Sequence, residues 1–293
     1  MVTIVGGSGK VGGKTGRLLL SKGIKVRLLG RHINKLEPYK NEGADIAIGD
    51  VTDEAFLIDV FEDADLIVSM IPTHMKINNL RDYQDTVSIA LCNAIVKSNV
   101  KRVINLSSLG GHTEKNTGTV AGLARHETRL NALPGIDVLH LRPTYFMENL
   151  FAQKYSILAM NAMVSSLEPD LQFPMVATDD VAAELSELII KDNFRGKHVI
   201  YLLGPRDYSM NEAAKIIGKE IGKPDLKYIK VTYEEEKKGL VDAGIPESLA
   251  EGFVGLSKGI NDKVLYEKRT PENTTPTTLE EFAKLFAMIY GTS

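Results

Sequence analysis

Val2-Thr3-Ile4-Val5, followed at once by Gly6-Gly7-Ser8-Gly9-Lys10-Val11-Gly12, decides the fold. A short apolar run that stops at a glycine-rich turn and reopens as a helix is a phosphate-binding device. The glycines let the backbone approach a pyrophosphate, and the free N–H groups at the helix start face its charge. Gly7, Gly9 and Gly12 fit a G-x-G-x-x-G spacing, while Gly6, Gly9 and Gly12 fit G-x-x-G-x-x-G. The apolar run ends at Val5, so the turn begins at Gly6 and the second spacing is preferred. Glycine triplets are common in turns. This one opens a strand–helix–strand unit, which is the context that makes it informative. It nominates Gly6, Ser8, Gly9, Lys10, Val11 and Gly12 as cofactor-binding residues.

Working outward, residues 1 to about 150 alternate short apolar runs with longer amphipathic ones. Strands are expected at 2–5, 24–29, 44–48, 65–71, 101–106 and 136–141, with helices near 12–22, 53–62, 80–98 and 119–133 and a weaker one near 33–41. Nearly continuous, β-branched strands alternating with helices specify a parallel sheet covered on both faces. The economical reading is α/β, a doubly wound parallel sheet of the Rossmann type. Beyond residue 150 the rhythm loosens. Helices are expected at 147–162, from Thr178 or Asp179 onward, and at 211–222, 233–242, 246–260 and 278–290, with strands at 198–203 and 226–231 and a loop over 165–174. Ser209-Met-Asn-Glu212 and Thr278-Leu-Glu-Glu281 have capping-box spacing. The organisation expected is a cofactor-binding domain over 1–155 and a smaller mixed α/β substrate region over 156–293, of which about 175–203 returns to the main sheet.

Composition narrows the function classes. The 293 residues are 43% hydrophobic and 25% charged, which suits a globular chain with a sizeable core. With 35 basic and 38 acidic residues the net charge is −3, leaving no electrostatic footprint for nucleic acid or an anionic membrane. The single cysteine, Cys92, excludes an intrachain disulfide and a cysteine-based metal cluster, and no metal site is expected. Cys92 sits in an apolar helical pattern and reads as a buried thiol. A strand starting at residue 2 leaves no room for a signal peptide, and no apolar run approaches the roughly 18 residues of a membrane span. A cytoplasmic location is the expectation.

The strand ends name the remaining cofactor contacts. After the second strand an NAD site usually places a carboxylate, about 20 residues beyond the turn, on the ribose hydroxyls. Here stand Gly30-Arg31-His32, with Lys35 one helical turn further on. Arg31 can bind a 2′-phosphate bidentately and Lys35 can add a point charge, so NADP(H) is preferred and NAD(H) is the alternative. Asp50 is placed for the adenine amino group and Val51 for the ring face, although Asp50 or Thr52 could also cap the next helix. Met70, Ile71 and Pro72 would line the middle of the cofactor. Ser107 and Ser108 would lie near the nicotinamide ribose.

Together these residues resemble the NmrA-like family of atypical, extended-type short-chain dehydrogenase/reductases. The resemblance rests on the glycine turn, Arg31 with Lys35, Gly49-Asp50, Ser107-Ser108 and above all Leu141-Arg142-Pro143-Thr144-Tyr145-Phe146-Met147-Glu148-Asn149. That run is similar to the family's Arg-Pro-x-x-Phe-x-Glu-Asn segment, which implies that the Pro143 region approaches the nicotinamide. Val176-Ala-Thr-Asp179-Asp180-Val181 is similar to the family's return to the sheet. The departure is in catalysis. Short-chain dehydrogenases use Tyr-x-x-x-Lys, the lysine lowering the tyrosine's pKa. Taking Glu127 as the acid that follows this motif puts Thr119 at the tyrosine position and Leu123 at the lysine position. No Tyr lies between Tyr83 and Tyr145, and no Lys between Lys115 and Lys154. Tyr233-Glu-Glu-Glu-Lys237 has the spacing but follows the wrong strand. His112, His126 and Tyr145 remain as weak candidates, and Arg142 could anchor backbone instead of ligand.

The leading expectation is an NADPH-dependent oxidoreductase acting on a small quinone-like or carbonyl acceptor. Hydride transfer to a quinone needs little from a protein acid, because the product can take its proton from solvent. The competing expectation is a non-catalytic NADP(H) redox sensor that answers to a regulatory protein partner. A nucleotide-sugar epimerase ranks last, since it relies on the missing tyrosine. A homo-oligomer is left open.

Overall fold

The alternation read from the sequence becomes one continuous sheet in the computed structural model, which describes residues 1–291. The first half runs β1 (Val2–Val5), α1 (Lys10–Ser21), β2 (Val26–Gly30), α2 (Ile33–Asn41), β3 (Asp45–Ile48), α3 (Glu54–Phe61), β4 (Leu66–Ser69), α4 (Leu80–Lys97), β5 (Arg102–Leu106), α5 (Ala121–Asn131) and β6 (Asp137–Pro143). A 3₁₀ turn over Gly118–Val120 leads into α5. Every residue of β1 and β4 is buried, as central strands covered on both faces require.

The second half runs β7 (Tyr145–Phe146), a 3₁₀ turn (Met147–Ala152), α6 (Gln153–Met160), β8 (Ala162–Ser165), β9 (Phe173–Val176), α7 (Thr178–Lys191) and β10 (Lys197–Leu202). It continues through β11 (Asp207–Tyr208), α8 (Met210–Glu220), β12 (Lys227–Lys230), α9 (Tyr233–Asp242), α10 (Glu247–Asn261) and α11 (Leu279–Gly291). β10 joins the main sheet beside β6, giving the seven-strand order β10-β6-β5-β4-β1-β2-β3 with every pairing parallel. The strand order reverses between β1 and β4. Chains leave that point in opposite directions, so a crevice opens at the carboxyl ends of the two strands.

Three packed cores hold the assembly. α1, α2 and α7 cover one face of the sheet with Leu19, Leu36, Val181 and Leu185. α3, α4 and α5 cover the other with Leu57, Phe61, Leu91, Ile95 and Leu130. Each such fully buried side chain contributes about 1.5–3 kcal/mol of transfer free energy. The third core joins Met147, Phe173, Tyr208, Ile217, Phe282 and Phe286 above the crevice, around the three-strand sheet β11-β9-β7 and the parallel pair β12-β8. Cys92 is buried in the second core, and burial pushes its thiol up to about 12. Among the described residues no helix is long and apolar enough to cross a membrane.

Several expectations need correction. The fourth strand ends at Ser69, not Ile71, so Met70, Ile71 and Pro72 leave the sheet. The helix expected over 147–162 is a 3₁₀ turn followed by α6, which stops where Asn161 takes a left-handed conformation with φ 52°. The loop expected over 165–174 contains the start of β9. Neither Thr178 nor Asp179 caps α7. Ala177 holds the cap position, and the Thr178 hydroxyl instead donates to Glu148 Oε1 at 2.5 Å. The caps expected at Ser209 and Thr278 do form, each hydroxyl accepting from the backbone N–H of the glutamate three residues on.

Candidate functional site

The glycine turn is built by close backbone approach. Gly6 adopts φ +70°, which favours glycine, and its carbonyl accepts from Gly9 N at 2.9 Å. A Cβ on Gly12 would lie 2.6 Å from the Gly6 oxygen, so no side chain fits between helix and turn. Gly7 N donates to Leu29 O at 2.8 Å and ties the turn to β2. α1 opens at Lys10 behind a Gly9 cap that offers no side chain, and its first turn holds no acid. Its leading amides are therefore available to an external anion.

A cavity of about 900 Å³ runs along the carboxyl ends of the strands from this turn. Arg31, His32 and Lys35 line one end, beside Gly49 and Val51. Leu109, Thr119, Leu123, Phe173, Phe253 and Leu256 line the other. Of the expected cofactor residues, Gly6, Ser8, Gly9, Lys10, Val11, Gly12, Arg31, Lys35, Val51, Met70, Ile71, Pro72, Ser107 and Ser108 all lie on its wall. Asp50 and Pro143 do not.

Asp50 is exposed and folds back on its own loop, Oδ1 accepting from Thr52 N at 2.9 Å and Thr52 Oγ1 at 2.8 Å. Burial opposes its charge, but the two Thr52 bonds and the nearby Arg31 and His74 hold its carboxyl below the ordinary range. The cap of α3 is neither Asp50 nor Thr52 but Asp53, which accepts from Phe56 N at 3.2 Å. Pro143 ends β6 in register with Leu202, and it is Thr144, Tyr145 and Phe146 that reach the cavity.

A buried ion pair underlies the serine pair. Arg142 Nε donates to Glu127 Oε1 at 2.9 Å and Nη2 to Oε2 at 2.5 Å, while Nη1 donates to the Tyr201 hydroxyl at 2.7 Å. Ser107 Oγ adds a bond to Glu127 Oε1 at 2.5 Å. Burial disfavours the Arg142 charge, and the Glu127 bonds outweigh it and raise its pKa. Arg142 and the Ser107 hydroxyl are thus committed to the scaffold. Ser108 is left half-buried on the cavity wall.

The acid–base candidates divide sharply. His126 is fully buried, 2.9 Å from both Ser69 Oγ and Ser88 Oγ, and burial drives its pKa down to about 3. It is a satisfied core histidine outside the cavity lining. His112 is exposed and likewise outside the lining. Tyr145 does line the cavity, edge-on to Phe173 at a centroid distance of 5.5 Å. Burial, then the charges of Glu236 and Tyr228, push its pKa above the usual tyrosine range, so it stays a neutral phenol. Thr119 and Leu123, standing at the tyrosine and lysine positions, face the cavity with groups that transfer no proton.

Other wall residues were not foreseen. Leu249, Phe253, Leu256 and Ile260 form one stripe of α10 along the cavity, and their spacing marks a helix face without saying what it faces. Tyr83, whose hydroxyl donates to Pro72 O at 2.9 Å, steadies the segment after β4. Glu148 and Thr178 also line the cavity.

Comparison with known proteins gives the same architecture. The NAD(P)H azoreductase of Xenophilus azovorans is 23% identical over 99% of both chains. The NADPH-dependent quinone oxidoreductase of Escherichia coli, solved with NADPH, superposes with a TM-score of 0.83 at 20% identity, covering 97% of this chain and 99% of that one. NmrA, a negative transcriptional regulator solved with NAD, superposes with a TM-score of 0.77 at 15% identity, over 99% of this chain and 96% of that one. At such identities the superpositions establish a shared fold. The model of the NmrA-like family matches residues 1–283, and the chain belongs to that family.

Proposed function

We propose that the protein is an NADPH-dependent oxidoreductase that reduces a small, uncharged quinone-like or carbonyl acceptor. The observation that carries this reading is the single cavity with two unlike ends. One end joins a glycine turn and an uncapped helix start to Arg31 and Lys35, and the other is walled by Leu123, Phe173, Phe253 and Leu256. The tight Gly6–Gly12 contact leaves the space that a diphosphate needs against the backbone, so the residues present fit a nicotinamide dinucleotide. An azoreductase and a quinone oxidoreductase among similar proteins support the same reaction class.

Bound in this groove, NADPH would supply a hydride. The chain's own residues bind and exclude. The α1 amides would hold the diphosphate, and Arg31 with Lys35 would meet the 2′-phosphate. The apolar wall would keep water away from the reacting faces and hold an acceptor beside the cofactor, which is a positioning effect. Tyr145 can donate a hydrogen bond to an acceptor oxygen, and the reduced product takes its proton from solvent. We further propose that residues 1–155 hold the cofactor while 156–293 supply most of the acceptor wall, with about 175–203 belonging structurally to the sheet.

The test is titration of the purified protein with NADPH, followed by a panel of neutral quinones while the reduced nicotinamide absorbance is followed. Oxidation across part of the panel is expected. Tight binding with no oxidation of any member would turn the reading to a non-catalytic sensor.

A further inference from the structure

α10 sits on the cofactor half of the chain backbone to backbone. A Cβ on Gly255 would lie 2.9 Å from Gly118 Cα, and one on Gly252 would lie 2.5 Å from Leu80 Cδ2 and 3.0 Å from Thr119 Cγ2. A Cβ on Gly259 would run into the Asn116 carbonyl, and one on Gly118 into the α10 backbone at Gly252, Gly255 and Leu256. Gly118 also holds φ +56°, a left-handed conformation that glycine takes without strain. Gly252, Gly255 and Gly259 share one side of the helix, at spacings of three and four residues. Each weakens the helix by about 1 kcal/mol relative to alanine, so this face favours close approach over helix stability. A bond from Leu80 N to Ser248 Oγ at 3.0 Å ties the start of α10 to the start of α4. The neighbouring face of α10 looks into the cavity through Leu249, Phe253, Leu256 and Ile260, and Thr119 and Leu123 line the same cavity from the chain that the glycines touch. None of these side chains is charged, and none of the glycines is in the lining. The seam thus fixes how far one apolar wall stands from the other without adding an atom to the cavity. It also rests α10 on Thr119, the residue at the tyrosine position.

We propose that α10 selects the acceptor by size. Phe253 is the side chain that meets the acceptor, and Gly118 and Gly255 are positioning residues that hold Phe253 close to the wall of Thr119 and Leu123. The inference rests on the reductase reading of the cavity and adds the class of acceptor to it. The favoured acceptor is a compact, neutral ring. A ring carrying branched substituents is refused, because α10 would have to withdraw from a backbone seam to admit it. In an apolar pocket one methylene of misfit is worth about 10- to 200-fold, so a small displacement of α10 reads out as a large change in preference.

The experiment is calorimetric titration of menadione and of a di-tert-butyl benzoquinone into the protein–NADP⁺ complex, in which no hydride is available. The proteins compared are the unaltered chain, Gly255→Ala, Phe253→Ala and, as a control, Gly239→Ala on α9, where an added Cβ meets nothing within 4 Å. NADP⁺ affinity and a thermal melt are recorded for each. The unaltered protein and the control should prefer menadione. Gly255→Ala and Phe253→Ala should each lower that preference by about tenfold or more, with NADP⁺ affinity staying within about twofold. A merely structural glycine would weaken NADP⁺ and both quinones together. That result in Gly255→Ala, or an unchanged preference, overturns the positioning role. Phe253→Ala leaves the seam intact, so an unchanged preference there overturns size selection by α10 whether or not Gly255→Ala folds. Equal binding of the two quinones by the unaltered protein, or binding of neither, overturns the inference as well. Menadione that binds but oxidises no NADPH in a parallel assay overturns the reductase reading alone and leaves the size preference standing.

Discussion

Removing the Arg31 guanidinium separates the two nicotinamide dinucleotides. Arg31 is half-buried at one end of the cavity and, among the described residues, forms no ion pair that would compete with a ligand. Asp50 is near enough to feel its charge but is occupied by Thr52. Its donors are therefore free for a 2′-phosphate. A hydrogen bond to a charged group is worth about 1.5–3 kcal/mol, or about 10- to 150-fold in affinity. Partial exposure of the site places the expected loss at the lower end, about 10- to 30-fold for NADPH in Arg31→Ala. NADH carries no 2′-phosphate, so its affinity should stay within about twofold, the scatter of small surface effects. Calorimetry with each nucleotide reads both constants. An equal loss for the two would refute the 2′-phosphate role, since only a shared contact or a disturbed fold affects both.

Three further outcomes follow from the geometry. Gly12→Ala should weaken NADPH and NADH together by about tenfold or more, because a methyl 2.6 Å from the Gly6 oxygen must move the turn; a variant binding like the parent in a nucleotide titration would contradict the cradle. Glu127→Ala leaves Arg142 buried and uncompensated, and should cost about 3–5 kcal/mol in urea unfolding; a loss below about 1 kcal/mol would mean the pair is not buried in solution. His126 and His140 are held neutral, burial lowering them from 6.5 to about 3 and about 4. Because their folded pKa values lie below the unfolded ones, their contribution is fully present above about pH 6.5 and is lost as pH falls toward the folded values, at up to about 1.4 kcal/mol per pH unit for each. Urea midpoints measured from pH 7 downward should fall accordingly, and a smaller slope in His126→Asn would identify its share.

How much of this was legible in the sequence depended on how far each element's residues decide their own environment. β1 and β4 carry nearly continuous apolar runs, broken only by Thr3 and Ser69, which a doubly covered strand can bury, and the glycines after Val5 needed no tertiary context. β7 and β11 have two residues each, and β9 carries Pro174 inside it, so no alternation could announce them. The cap of α3 was missed because Asp50, Thr52 and Asp53 all suit a helix start, and only the backbone path selects Asp53. Pro143 was one to three residues short of the cavity for a related reason. Where β6 stops decides which neighbours turn inward, and that is set by pairing with β10. In the sequence His126 was only a weak acid–base candidate on its helix. Ser69 and Ser88, distant in the chain, turn it into a core residue. The α10 stripe was visible as helical periodicity, while the void it faces is a property of the assembled fold.

The central claim is that one cavity holds NADPH at its cationic end and an acceptor at its apolar end, close enough to react. A single-turnover measurement tests this directly. With protein in excess over NADPH, so that all of the cofactor is bound, a neutral quinone is added without oxygen and the reduced nicotinamide absorbance is followed. The account predicts stoichiometric loss of that absorbance, faster than free NADPH reacts with the same quinone. Bound NADPH that persists as long as free NADPH does would contradict it.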